Sequence, residues 1–148
     1  MAPGRLDCIF ESGASSAYTQ TMPSAPRAHI VLAEDEPMIG RILEFKLDRE
    51  GHRVTWVRTA AEAERICREE PVDLLLLDIS LEEDGRVLCR RLTGSSHQPR
   101  AGVVLMPELR SPDGERLALE AGARAVVIKP FKPTIVAAKI RELLDSAG

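Results

Sequence analysis

Residues 72–78 read VDLLLLD, with four consecutive leucines, Leu74 to Leu77, closed by an acid. An apolar run this short, with no polar face, describes a strand covered on both sides. Strands of that kind belong to parallel sheets sandwiched between helices. The run also poses a question, because a carboxylate at the end of an oily strand needs a purpose.

Working outward, the same kind of strand recurs. HIVLA (29–33) is a short buried strand, and RVTWV (53–57), GVVLM (102–106) and RAVVI (124–128) follow the pattern. Between them lie helical periods. PMIGRILEFKLDRE sets Met38, Ile39, Ile42, Leu43 and Leu47 on one predicted face, with Pro37 suited to the first turn and Gly51 to the stop. TAAEAERICREE has Thr59 and Glu62 at capping-box spacing. GRVLCRRL is predicted to start from Asp84 as cap. SPDGERLALEAG is predicted to start at Ser111 and Pro112 and to end at Gly122. PTIVAAKIRELL closes the chain, with Val136, Ile140, Leu143 and Leu144 facing inward. Five strands alternating with five helices over short connections predict an α/β fold. Its expected form is a doubly wound five-stranded parallel sheet, a flavodoxin-like (βα)5 three-layer sandwich with strand order 2-1-3-4-5.

Residues 1–28 break the pattern. SGASSAYTQTMPSAPRA is small, polar and aperiodic, and is expected to be a disordered extension to the single domain at 29–148. The chain of 148 residues is long enough for one real core, and its 44% hydrophobic content is ordinary for a globular domain. A net charge of −3 and 3% aromatics argue against direct nucleic acid binding. No apolar run reaches membrane-spanning length, and Asp7 and Glu11 interrupt any secretory leader, so the expected setting is cytoplasmic. Cys8, Cys67 and Cys89 cannot all pair and lack metal-ligand spacing, which fits reduced thiols.

In an open parallel sheet, ligands sit beyond the carboxyl ends of the strands. Strand one ends in Glu34, Asp35 and Glu36, strand three in Asp78, and strand five in Lys129. Adjacent carboxylates repel, and a divalent cation such as Mg²⁺ relieves the conflict. Lys129 adds a compact positive charge for Asp78 or for a phosphoryl oxygen. Together these groups describe a phosphoryl-transfer site with a carboxylate nucleophile. Each residue also has a plainer reading. The three acids would complement a helix N-terminus, Asp78 would be a solvated loop acid, and Lys129 a surface lysine at a turn.

HIVLAEDEP, VDLLLLDISLEEDG and LEAGARAVVIKPF, at this spacing, resemble a bacterial response-regulator receiver domain of the CheY-like superfamily, over residues 29–145. The resemblance implies a phosphoacceptor signalling protein rather than an enzyme. Asp78 would take a phosphoryl group from a sensor histidine kinase or a histidine phosphotransfer protein. Asp35, Asp78 and the Ser80 backbone carbonyl would bind Mg²⁺ or Mn²⁺, with Glu34 acting mainly through water. Lys129 would contact the phosphoryl group, and its bond to Pro130 would be cis. Two positions depart from the family. Met106 stands where a Thr or Ser hydroxyl usually bonds the phosphoryl group, and Val126 where a switch aromatic usually stands. The loop after Asp78 also lacks the usual proline and is one residue short before Gly85.

The resemblance therefore predicts a stand-alone receiver with an atypical readout, passing its state to a downstream protein or relaying the phosphoryl group. The alternative is an unphosphorylated pseudo-receiver serving as an interaction module, which the altered switch positions favour. A Mg²⁺-dependent phosphohydrolase is a third reading. It would want a second acid two residues past the nucleophile, where this chain has Ser80.

Overall fold

The leucine run forms the strand β3 (Leu74–Asp78), buried at every position, at the centre of a parallel sheet. The computed structural model describes residues 27–147. In chain order the other elements are β1 (His29–Ala33), α1 (Pro37–Arg49), β2 (Arg53–Val57), α2 (Ala60–Glu69), α3 (Gly85–Leu92), β4 (Val103–Met106), α4 (Gly114–Glu120), β5 (Ala125–Val126) and α5 (Pro133–Ser146). The sheet runs β2-β1-β3-β4-β5 and every pairing is parallel, which is the doubly wound order 2-1-3-4-5.

Alternation along the strands divides the interior in two. Leu74, Leu76, Ile30, Leu32, Val104 and Met106 face α1 and α5, meeting Leu43, Leu47, Val136 and Ile140. Leu75, Leu77, Val31, Val103 and Leu105 face the opposite layer, meeting Ala63, Ile66, Leu88, Leu92 and Ala118 of α2, α3 and α4.

Several helix boundaries follow local chemistry. Pro37 opens α1, and Gly51 and Gly122 follow the ends of α1 and α4 at φ +96° and +104°. Thr59 Oγ1 accepts the Glu62 amide at 3.1 Å, forming one half of the predicted box over α2, while the Glu62 carboxylate accepts the Thr59 hydroxyl at 3.1 Å rather than its amide. Asp84 caps α3 through the Arg86 amide at 2.9 Å.

Two expectations need correction. The fourth helix starts at Gly114, not at Ser111 and Pro112. Those residues lie in a turn closed by the Gly114 amide on the Ser111 carbonyl at 3.1 Å, and Asp113 is left-handed at φ 56° with no side-chain cap. The predicted inward face of α1 is also only partly right. Gly40, Leu43 and Leu47 form the buried seam, whereas Met38 is 69% and Ile42 47% exposed. At 3.6 residues per turn, Met38, Ile42 and Phe45 lie opposite that seam. The seam is set by the contact of Gly40 with Trp56 of β2: a Cβ at position 40 would come within 2.1 Å of the indole ring.

Of the predicted extension, residues 1–26 and Cys8 lie outside the described residues. Arg27 and Ala28 are tied to the domain. Arg27 Nε donates to the Gly51 carbonyl at 2.9 Å, and the Ala28 carbonyl accepts the Arg53 amide at 2.8 Å. Cys67 and Cys89 are free and buried, and burial, with the nearby charge of Glu64, pushes the Cys67 thiol up to about 11. Among the described residues no helix is long and apolar enough to cross a membrane.

Candidate functional site

Parallel pairing of β1 and β3 brings Ala33 beside Leu77, so the residues that follow each strand emerge side by side. Carboxylate oxygens of Glu34, Asp35 and Asp78 lie within 4.8 Å of one another. Lys129 arrives from the end of β5, 95 residues after Glu34, and places Nζ 3.0 Å from Glu34 Oε1 and 3.3 Å from Asp78 Oδ1. The Lys129–Pro130 peptide is cis. Two backbone bonds set the position of Lys129: its amide donates to the Pro107 carbonyl at 2.8 Å, and its carbonyl accepts the Leu109 amide at 2.9 Å.

The three acids after β1 divide their work. Glu36 caps α1, accepting the Met38 amide at 2.8 Å. Glu34 is fully buried, and both its carboxylate oxygens are used, one by Lys129 and the other by the Glu36 amide at 3.1 Å. Its carbonyl accepts the Trp56 indole N–H at 2.9 Å, which fixes the start of the acid loop to β2. Asp35 is exposed at the mouth. The helix-complement reading thus holds for Glu36, while Glu34 and Asp35 join Asp78.

Charge and burial pull against each other here. Burial pushes the Glu34 carboxyl above its ordinary value; the bond from Lys129 opposes this, and the charge of Asp78 adds to it. Burial disfavours the Lys129 ammonium, yet the bond to Glu34 and the charge of Asp78 hold it above its usual value. Asp78 Oδ1 is buried and has the Lys129 ammonium, 3.3 Å away, as its ionic partner. A carboxylate oxygen with a single ionic partner keeps lone-pair capacity for a further ligand. Hard oxygen donors from two carboxylates, a buried one among them, and an open mouth fit Mg²⁺ or Mn²⁺.

The cleft, about 360 Å³, is lined by Glu34, Asp35, Asp78, Ser80, Glu108 and Lys129, among others. Ser80 is exposed, and its backbone pairs with Asp84 across the loop. The tight return of that loop depends on Gly85, where a Cβ would come within 2.4 Å of the Asp78 carbonyl. Glu108 is the lining residue that sequence reading passed over. Its position just past β4, at the same sheet end as the other acids, was the available signal. Met106 is fully buried beside Asp78 in the strand register and belongs to the core under α1 and α5. Val126 is half-buried against the other core. The two altered switch positions therefore face opposite layers. A cavity of about 460 Å³ near the start of β3, lined by Arg68 and Arg100 among others, carries no such convergence: Arg100 pairs with Asp73 at 2.9 Å and Arg68 with Glu64 at 2.9 Å.

Comparison with known proteins bears on the same residues. The family model for the response regulator receiver domain matches residues 30–141. The transcriptional regulatory protein GltR of Pseudomonas aeruginosa is 36% identical over 127 residues, covering 84% of this chain and 52% of GltR. AfsQ1 of Streptomyces coelicolor, also a transcriptional regulatory protein, is 32% identical over 116 residues, covering 78% of this chain and 50% of AfsQ1. This chain thus spans about half the length of the curated relatives it matches. Among solved structures, the receiver domain of a signal transduction histidine kinase from Syntrophus aciditrophicus superposes with a TM-score of 0.72 at 31% identity, covering 80% of this chain and 91% of that one. The family match begins in β1 and ends in α5, so all five strands and every acid and lysine of the cleft fall inside it. This chain belongs to the response regulator receiver domain family.

Proposed function

We propose that Asp78 accepts a phosphoryl group from the histidine of a sensor kinase or phosphotransfer protein, and that the phosphorylated chain acts by protein binding or by passing the group on. An Asp78 carboxylate oxygen bonds to phosphorus as the P–N bond to the donor imidazole breaks, and the imidazole nitrogen keeps that electron pair. Water later cleaves the acyl phosphate, returning the carboxylate and inorganic phosphate. Lys129, already 3.3 Å from Asp78, is placed to pair with a phosphoryl oxygen. Asp35, Asp78 and the Ser80 carbonyl would hold Mg²⁺ or Mn²⁺ directly and Glu34 through water; the cation supplies positive charge to the phosphoryl oxygens. The observation that carries this reading is the buried Asp78 carboxylate beside two further acids, with the Lys129 ammonium 3.3 Å away.

A second reading, an unphosphorylated interaction module, is favoured by one feature. Met106 fills the space beside Asp78 with a thioether that donates no hydrogen bond. Incubation with Mg²⁺ and acetyl phosphate, followed by intact mass measurement, separates the two. A phosphoryl mass gain in wild type that is absent from Asp78→Asn is the expected result. No gain, under conditions that label another receiver, favours the interaction module.

A further inference from the structure

The loop from Ile79 to Asp84 contains no proline, yet it carries Ser80 at the edge of the acid cleft. Three consecutive acids tie it down, each committed to a different partner. Glu82 reaches across to α2, where its two oxygens accept the Ala60 amide at 2.8 Å and the Ala61 amide at 3.0 Å. These N–H groups open the helix and have no intrahelical acceptor. Glu83 receives two bonds from Arg91 of α3, at 3.1 and 2.9 Å. Arg91 also donates to both oxygens of Glu64 in α2, at 3.0 and 2.8 Å. Asp84 caps α3. The loop is thereby fastened to α2 and α3, neither of which lines the cleft.

We propose that Glu82 is a positioning residue for the cation site, holding the Ser80 backbone at the cleft by spanning the first two amides of α2. Ile79 and Ser80 are joined to the acids by the chain itself, and Glu82 lies two residues beyond Ser80. Releasing Glu82 removes the tie of the loop to α2, leaving the Ser80–Asp84 pairing, the Gly85 amide on the Ile79 carbonyl at 2.9 Å and the Arg91 bonds to Glu83, all of which lie on the α3 side. The inference rests on the phosphoacceptor reading, in that the cleft takes a divalent cation.

Two variants test it by calorimetric titration with Mg²⁺ alone, with thermal melts and amide exchange at Ala60 and Ala61 as companions. Glu82→Gln keeps the side-chain length but loses one acceptor oxygen. Thr59→Ala removes two bonds at the same helix end, from the Glu62 amide and to the Glu62 carboxylate, and leaves the loop contacts intact. Glu82→Gln is expected to weaken Mg²⁺ binding about tenfold, as other partners that orient metal ligands do, and to speed exchange at Ala60 and Ala61. Thr59→Ala is expected to lower the melting temperature while keeping Mg²⁺ affinity within about twofold of wild type. Equal affinity in Glu82→Gln and wild type overturns the inference, and so does equal weakening in both variants, which would reduce Glu82 to a helix cap. Wild type that binds no Mg²⁺ overturns the phosphoacceptor reading together with this one.

Discussion

At the scale of single residues, Lys129 is the counterweight of the site. It is 7% exposed and lies between two carboxylates that are themselves buried. Removing one partner from a buried ionic set is costly because it strands the others. Lys129→Met is therefore expected to lower unfolding free energy by about 3 kcal/mol in metal-free buffer. Mg²⁺ should narrow that gap, since a cation among the acids replaces the lost charge. Urea unfolding with EDTA and then with Mg²⁺ checks this, and an equal loss in both buffers would remove Lys129 from the electrostatics of the cleft. Most of these residues were legible in the sequence, because a buried run ending in Glu34 or Asp78 is a local signal. The role of Glu82 was not. Its partners, Ala60 and Ala61, are more than twenty residues away, and nothing in LEED distinguishes a bridging acid from a solvated one.

At the scale of elements, the seat of α1 on β2 shows how packing overrides propensity. Glycine inside a helix normally weakens it by about 1 kcal/mol relative to alanine. At position 40 the order should reverse, because an added methyl would meet the Trp56 ring. Gly40→Ala is expected to destabilise the protein by about 2 kcal/mol, in the range of overpacked cores. It should also shift the emission of Trp56, the chain's only tryptophan, by displacing its indole from the Glu34 carbonyl. Unchanged emission with raised stability would refute this seating. The apolar period of α1 promised five inward residues, but periodicity cannot say that glycine marks the line of closest approach. For α4 the capping signal at Ser111 was outweighed by the turn that Pro112 and Asp113 make.

For the whole molecule, ion pairs that cross between helices and loops make stability depend on pH. Hydrogen bonds from Arg91 hold the Glu64 carboxyl below its ordinary value of 4.5, and those from Arg86 do the same for Asp84, below 3.8. A depressed native value means stability that is complete above the unfolded value and lost as pH falls through the native one. These two groups should make the urea midpoint drop progressively below about pH 4.5. Glu64→Gln should lose about 1 kcal/mol at neutral pH, a modest figure because Arg91 is partly solvated, and should lose less on acidification than wild type. A wild-type midpoint unchanged down to about pH 3 would contradict this. The parallel, doubly wound sheet was readable from the alternation of buried strands and amphipathic helices. The bracing between α2, α3 and their loop was not, since it depends on which exposed arginine meets which glutamate.

The 95-residue separation between Glu34 and Lys129 sets the order in which the cleft can be assembled. The acids of β1 and β3 leave the ribosome well before the lysine does, and the ion pair waits for that intervening chain to fold. A nascent chain would hold Asp78 with Glu34 and Asp35 and no ammonium to balance them, so the charge balance of the cleft is completed only after β5 has been made.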